Sequence, residues 1–143
     1  MSNIYLEEIV LLLENQLSPR IFELKKDFYG IKYGNVQNKI IKKIMLTLDL
    51  TLKSIHFAVK NKINLIITLK GLLNKSVTCF NRHHINKLTL LTRQPIIIFT
   101  LNTSFIAAEG GISDTIMEAL YLNLVNIFNI NKENGERIPI GRI

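Results

Sequence analysis

Apolar residues recur along the chain in two rhythms, and the alternation between them predicts the order of elements. Residues 4–17 place Ile4, Ile9, Leu12, Leu13 and Leu17 near one side of a helix and set Glu7, Glu8 and Glu14 apart, the spacing of an amphipathic helix. Ser18-Pro19 interrupts it. Ser18 is a good N-cap and Pro19 a good first helical residue, so a second short helix is expected from Pro19 to Lys26. Gly30 and Gly34 bracket a short extended piece, Ile31 to Tyr33, and the polar Asn35 to Lys39 connection follows. Ile44 to Leu48 is an apolar run of strand length ending in Asp49-Leu50-Thr51. Thr51 can cap the next helix, where Ile55, Ala58 and Val59 stand at helical spacing.

The same grammar then repeats. Leu65-Ile66-Ile67-Thr68 reads as a buried strand, Asn81 to Thr92 as a helix with Ile85, Leu88 and Leu91 inward, and Pro95 to Thr100 as another β-branched strand. Gly110-Gly111 is a turn, a helix begins at Ser113 or Asp114 and runs through Leu122, and Val125 to Phe128 is a further strand. Asn134-Gly135 is a tight turn before Arg137 to Ile140. Strands alternating with helices imply an α/β fold with a largely parallel or mixed sheet and helices on both faces. The continuous apolar strands agree, since a sheet covered on both sides has no polar face.

Composition narrows the class. With 143 residues the chain fits one domain, residues 1–143. Apolar residues make up 48% and charged residues 20%, a globular balance. The longest uncharged stretch, Gln94 to Ala108, is broken by Asn102, Thr103 and Ser104 and is too short for a bilayer, so no membrane attachment is expected. Glu7 and Glu8 interrupt the first apolar run, so no secretory signal is expected either. The lone Cys79 suits a reducing compartment; the cytoplasm is expected, with the nucleus left open.

Charge is unevenly placed within the net +7. Residues 1–30 and 94–143 each carry net −2, whereas residues 31–93 hold twelve Lys or Arg against Asp49 alone, net +11. Such a middle could meet the phosphates of RNA or a ribonucleoprotein through Lys39, Lys42, Lys43, Lys53, Lys60, Lys62, Arg82, Lys87 and Arg93. Only Tyr33, Phe57 and Phe80 are available there for base stacking. Ile, Asn and Lys together supply 51 residues, the bias of an AT-rich genome, which explains the lysines without a ligand.

Ligands of open α/β sheets collect at the carboxyl ends of strands, here after Leu48, Thr68 and Thr100. These ends carry a resemblance. The segments Ile44 to Thr51, Asn64 to Thr68 and Ala107 to Asp114 resemble the NGG-interacting-factor-three-like family, the GTP cyclohydrolase I type 2 homologues, in order and spacing. Weaker similarity reaches Lys26 to Gly30 and Ile140 to Ile143, so it spans almost the whole chain, which is shorter than family members. The resemblance implies ring-like homo-oligomers and two divalent metal ions held by a His-His pair, groups of a His-Thr-Asn-x-Asp stretch and a late His and Glu. In this chain the positions of the His pair hold Leu69 and Lys70, and Asn102 and Ile106 stand where another His and the Asp belong. The late pair has no counterpart. Without imidazole, thiolate or carboxylate donors no bound metal is expected.

Other residues offer weaker chemistry. Cys79, His83 and His84 form a Cys-x3-His-His cluster, but zinc normally takes four ligands and His56 belongs to another helix. A solvated helix start for the two histidines and a buried thiol for Cys79 are the favoured readings. Gly110-Gly111 could present amides to a phosphate or simply make a tight connection. Asp49 and Thr51 are either a retained pocket or turn and cap residues. Three functions follow: a reduced, non-catalytic family member engaged in protein interaction or assembly, an RNA- or ribonucleoprotein-binding module, or a retained metal-dependent hydrolase of GTP cyclohydrolase type.

Overall fold

A computed structural model describes residues 3–19, 28–37, 39–73, 77–131 and 137–142. The chain divides into two compact units, Met1–Ile9 with Phe28–Leu101, and Val10–Asp27 with Asn102–Ile143.

The first unit is built on a four-stranded sheet. Strands β2 (Gly30–Tyr33), β4 (Ile44–Thr47), β5 (Leu65–Thr68) and β6 (Ile97–Thr100) lie in the order β2-β6-β5-β4. β4, β5 and β6 run parallel, with Ile44 opposite Leu65 and Leu65 opposite Ile97, while β2 is antiparallel to β6. The expected mixed α/β sheet is therefore present. All four residues of β5 and of β6 are buried, as their unbroken apolar runs require. Ile66 and Ile98 turn toward a cluster with Leu50, Ile55, Ala58 and Leu91 from helices α2 (Leu52–Lys60) and α3 (Arg82–Leu91). Leu65, Ile67, Ile97 and Phe99 occupy the other face, where Tyr29 meets the Phe99 ring edge-on at 5.5 Å. Each fully buried Ile or Phe contributes about 1.5–3 kcal/mol, so these two strands dominate the core.

Local chemistry places the ends as the sequence predicts. Thr51 caps α2 in a reciprocal capping box with Ser54, and Asn81 caps α3 by accepting from the His84 amide at 3.0 Å. Gly34 has φ +106, and a Cβ there would lie 2.6 Å from the Ile96 carbonyl oxygen. Only glycine suits this turn. Asn64 acts as a clamp ahead of β5. Its Oδ1 accepts from the amides of Lys42 and Lys43 at 3.1 and 2.9 Å, and its Nδ2 donates to the Ile40 carbonyl at 3.0 Å.

Several expectations are corrected. The first apolar run is not a helix from residue 4. Ile4–Tyr5 forms β1, paired antiparallel with β3 (Ile40–Ile41), and helix α1 starts at Leu6 (Leu6–Leu12) before a widened π-helical turn, Leu13–Leu17. Leu6 and Leu13 are the buried residues, whereas Ile4, Leu12 and Leu17 are exposed. Strand pairing to Ile41 overrides the helical period there. In α3 Ile85 is exposed; Leu91 is buried in the core, Leu90 packs against it, and His84, Lys87 and Leu88 are half-buried. The expected helix from Pro19 to Lys26 and the Asn134-Gly135 turn fall outside the described residues.

The second unit contains helix α4 (Asn102–Ala107), which the sequence reading missed, helix α5 (Ile112–Ala119) and an antiparallel ribbon of β7 (Ile127–Asn131) and β8 (Arg137–Arg142). α5 begins at Ile112, after the Gly111 cap, and stops at Ala119, earlier at both ends than expected, and β7 starts two residues after Val125. A Cβ on Gly111 would run into the Phe105 carbonyl oxygen and come within 2.8 Å of that of Ala108. Close approach of α4 to α5 thus accounts for this glycine.

Replacing Asn64 with Ala leaves the Lys42 and Lys43 amides and the Ile40 carbonyl without their partner, and urea unfolding of this variant is expected to show a loss of about 1–3 kcal/mol. Thr51→Ala, which removes only the cap, is expected to cost about 1 kcal/mol in the same titration.

Candidate functional site

The carboxyl ends of β4 and β5 bring together the residues that the strand-end rule singles out. The Thr68 hydroxyl lies 2.8 Å from the Lys70 carbonyl oxygen and 3.2 Å from that of Leu48, and the Lys70 amide donates to the Leu48 carbonyl at 3.0 Å. These bonds lock Leu69 and Lys70 beside the Asp49 turn. The Asp49 carbonyl in turn accepts from Thr47 Oγ1 at 3.1 Å, from Ser54 Oγ at 3.2 Å and from the Thr51 amide at 3.2 Å. Asp49 thus organises the strand-to-helix turn through its backbone and leaves its carboxylate for another partner.

That partner is cationic. Lys70 Nζ stands 3.7 Å from Asp49 Oδ1. Lys87, half-buried on α3, also feels the Asp49 carboxylate, which raises its pKa, but burial has the larger effect and holds it below the usual lysine value of 10.5. The only acid of residues 31–93 therefore lies in the field of two lysines. Thr100 at the end of β6 is fully buried, and among the described residues its hydroxyl has no hydrogen-bond partner. A Cβ on Gly71 would sit 3.4 Å from that oxygen.

Asn102 and Ile106 belong to α4 in the second unit. Asn102 has φ +47, a left-handed conformation that Asn tolerates better than most residues. The two glycines of the Gly-Gly turn do not present free amides. Gly110 donates to Asp114 Oδ2 at 2.7 Å, and Gly111 donates to the Ala108 carbonyl at 3.0 Å. Asp114 also places a negative charge in the first turn of α5, which opposes an anion there.

The Cys79 expectation is corrected: the thiol is exposed, in a run of exposed residues, 78–81, that leads into α3. His83 is exposed as a helix-start residue, but His84 is not simply solvated, since its Nδ1 is buried with no partner among the described residues and its ring centre lies 6.1 Å from that of Phe80. His56 is on α2. Nothing in the spacing of His83-His84 signals which of them turns inward; the capped start of α3 decides it. The remaining cations are distributed over several elements. Lys39, Lys42 and Lys43 lie around β3 and before β4, Lys53 and Lys60 on α2 with Lys62 after it, and Arg82 on α3 with Arg93 after it. Lys43 Nζ donates to the Asn61 carbonyl at 3.0 Å. Phe57 and Phe80 are exposed, while Tyr33 packs on the core.

A mixed sheet with helices, and motif residues at its strand ends, defines an α/β protein of the class that the sequence segments resemble. Residues 4–142 match the family described as Duf34/NIF3 (NGG1p interacting factor 3), and the chain belongs to that family. It is 28% identical over 124 residues to a GTP cyclohydrolase 1 type 2 homolog of Bacillus subtilis, covering 82% of this chain and 31% of that protein. A homolog of the same description from Methanocaldococcus jannaschii is 29% identical over 120 residues, with coverage of 84% and 48%. Among solved structures, reduced HcgD from Methanocaldococcus jannaschii superposes with a TM-score of 0.78 at 28% identity, over 94% of this chain and 53% of that one. A Bacillus cereus protein related to NIF3 shares the fold with a TM-score of 0.79 at 21% identity, over 90% and 37%. The chain thus spans about half, or less, of the length of these relatives. No helix among the described residues is long and apolar enough to cross a membrane.

Because the folded state lowers the Lys87 pKa, it binds fewer protons than the unfolded chain just below pH 10.5, so stability rises with pH as that value is approached. Urea midpoints measured across alkaline pH are expected to show this rise in the natural protein and to lose it in Lys87→Met.

Proposed function

We propose that this chain is a family member without a dinuclear metal centre, acting in the cytoplasm through protein contacts or assembly rather than as a hydrolase. The observation that carries the reading is the Lys70–Asp49 ion pair, at the strand end where family resemblance implies a metal-binding His pair. An ammonium has no lone pair to donate and repels a dication. Leu69 and Ile106 contain no donor atom in their side chains, and Asn102 offers a neutral amide oxygen. The donor set does not fit a pair of divalent ions. Among the described residues no three His, Cys, Asp or Glu side chains come together in a way that could hold one. Water activation by a metal, the basis of hydrolysis at such centres, therefore has no support from these positions.

An interaction role is supported by the surface. Leu46 and Leu48 in the first unit are 75% and 68% exposed, and Tyr121 and Val125 in the second are 95% and 85% exposed. Clusters of large exposed apolar side chains mark surfaces that another molecule covers. The GTP cyclohydrolase description of the relatives applies to proteins of which this chain matches less than half, and it enters here as the competing activity.

Purified protein incubated with zinc, manganese or iron and then desalted is expected to retain far less than one ion per chain. Stoichiometric metal, or ring-opened product from GTP with added divalent ions, would defeat this reading.

A further inference from the structure

Helix α2 has two chemically distinct sides. Ile55 and Ala58 are fully buried and Val59 packs beside them. The opposite side consists of Lys53, His56, Phe57 and Lys60, all exposed. Steps of three, four and seven residues set these four on one stripe, about 10 Å long at the helical rise. Phe57 lies one turn from each lysine and is 56% exposed. A ring left in water between two ammonium groups contributes nothing to the core.

The turn that closes α2 extends the stripe. Ile63 donates its amide to the Ala58 carbonyl at 2.9 Å, and Lys62 donates to that of Val59 at 3.2 Å, around the Asn61 cap. This is the Schellman arrangement, whose left-handed residue is ordinarily glycine. Here Lys62 takes that place, exposed and at φ +56. The chain thus keeps a lysine where glycine relieves backbone strain, and strain kept at a surface position points to function rather than to folding. Lys43, also exposed, joins from the strand side. Its Nζ donates to the Asn61 carbonyl at 3.0 Å, which fixes a further charge at the end of the helix.

No acid offsets this surface. Among the described residues Lys53, Lys60 and Lys62 have no ion-pair partner, and Asp49, ahead of the first turn of α2, is paired with Lys70. A lysine-rich composition accounts for the number of lysines, not for their gathering on one side of one helix and its closing turn.

We propose that this surface binds a single strand of nucleic acid, with Lys43, Lys53, Lys60 and Lys62 on its phosphates and Phe57 stacked on one of its bases. Phosphates account for the cations and an unstacked base for the ring. In a duplex the base faces are stacked inside, out of reach of Phe57, and only base edges line the grooves. A membrane surface asks for a broad apolar side flanked by cations, whereas the apolar side of α2 is buried in the core. An acidic run of protein satisfies the lysines and offers no flat face to the ring. No group of the stripe is placed to read base edges, so binding is expected to tolerate many sequences. None of these residues belongs to the strand-end site, and the inference stands apart from the metal-free reading above.

Fluorescence anisotropy with fluorescein-labelled oligouridine and oligodeoxythymidine of about twelve nucleotides is expected to give the full chain a Kd of about 1–100 µM at low salt. Four phosphate contacts are expected to give a slope of about −3 for log affinity against log salt. Lys62→Gly removes strain together with a charge. Its urea midpoint is expected to stay or rise, while binding weakens and the slope becomes shallower by about 0.7. Phe57→Ala is expected to weaken binding about tenfold and leave the slope unchanged. The chain has no Trp, so Phe57→Trp supplies a single emitter at the proposed stacking position. Both oligomers are expected to quench its emission, whereas poly-glutamate and vesicles of phosphatidylserine and phosphatidylcholine in equal parts are not. The tighter oligomer identifies RNA or DNA as the source of the strand. No binding at low salt, binding indifferent to salt, to Phe57→Ala or to Lys62→Gly, or an equal response of the Trp variant to poly-glutamate or vesicles overturns the proposal, the last in favour of an acidic protein or a membrane.

Discussion

Burial of β5 on both faces and hydrogen bonding along both of its edges is the constraint on which the first unit depends. Leu65, Ile66 and Ile67 leave no polar face, so a layer must cover each side of the strand. β4 and β6 satisfy its backbone, and both are parallel to it. Parallel neighbours need crossovers, and α2 and α3 supply them while covering the Ile66 side. Asn64 enforces this start by binding the backbone of Ile40, Lys42 and Lys43 just as β5 begins. Side-chain hydrogen bonds to three backbone groups here accomplish what a turn motif does elsewhere.

The same parallel arrangement sends Leu48, Thr68 and Thr100 to one end of the sheet, and so creates a place for chemistry. What stands there is a carboxylate paired with Lys70 and felt by Lys87. Asp49 serves two purposes: its carbonyl ties the β4 turn to Thr47, Thr51 and Ser54, and its carboxylate neutralises Lys70 and offsets part of the burial cost of Lys87.

Much of the first unit was legible in the sequence because local and tertiary demands agree there. Leu65 to Thr68 and Ile97 to Thr100 are runs of β-branched and large apolar residues without a charge, and Thr51 and Asn81 are strong caps ahead of periodic helices. Where the two demands diverge, the reading failed. Ile4 fits a helical stripe but pairs with Ile41, and Asn102 opens a helix from a left-handed conformation that no propensity predicts. The exposed Cys79 and the inward His84 reflect how a loop and a helix are rotated against the core, and short-range pattern carries no record of rotation. Of the candidate site, Leu69, Lys70 and Asp49 could be placed at strand ends from the sequence, while the Lys70–Asp49 pair could not, since it joins the turns that follow two parallel strands about twenty residues apart.

The sequence by itself determined which stretches are apolar enough to be buried and where helices begin, since these follow from side-chain chemistry and neighbours within a few positions. Only the tertiary structure decided that β2 returns antiparallel, that β4 is left at the edge with Ile44, Leu46 and Leu48 uncovered, and that Asp49 faces Lys70 and Lys87. Each of these depends on contacts between residues distant along the chain, whose free energy is set by what the completed sheet and helices leave room for.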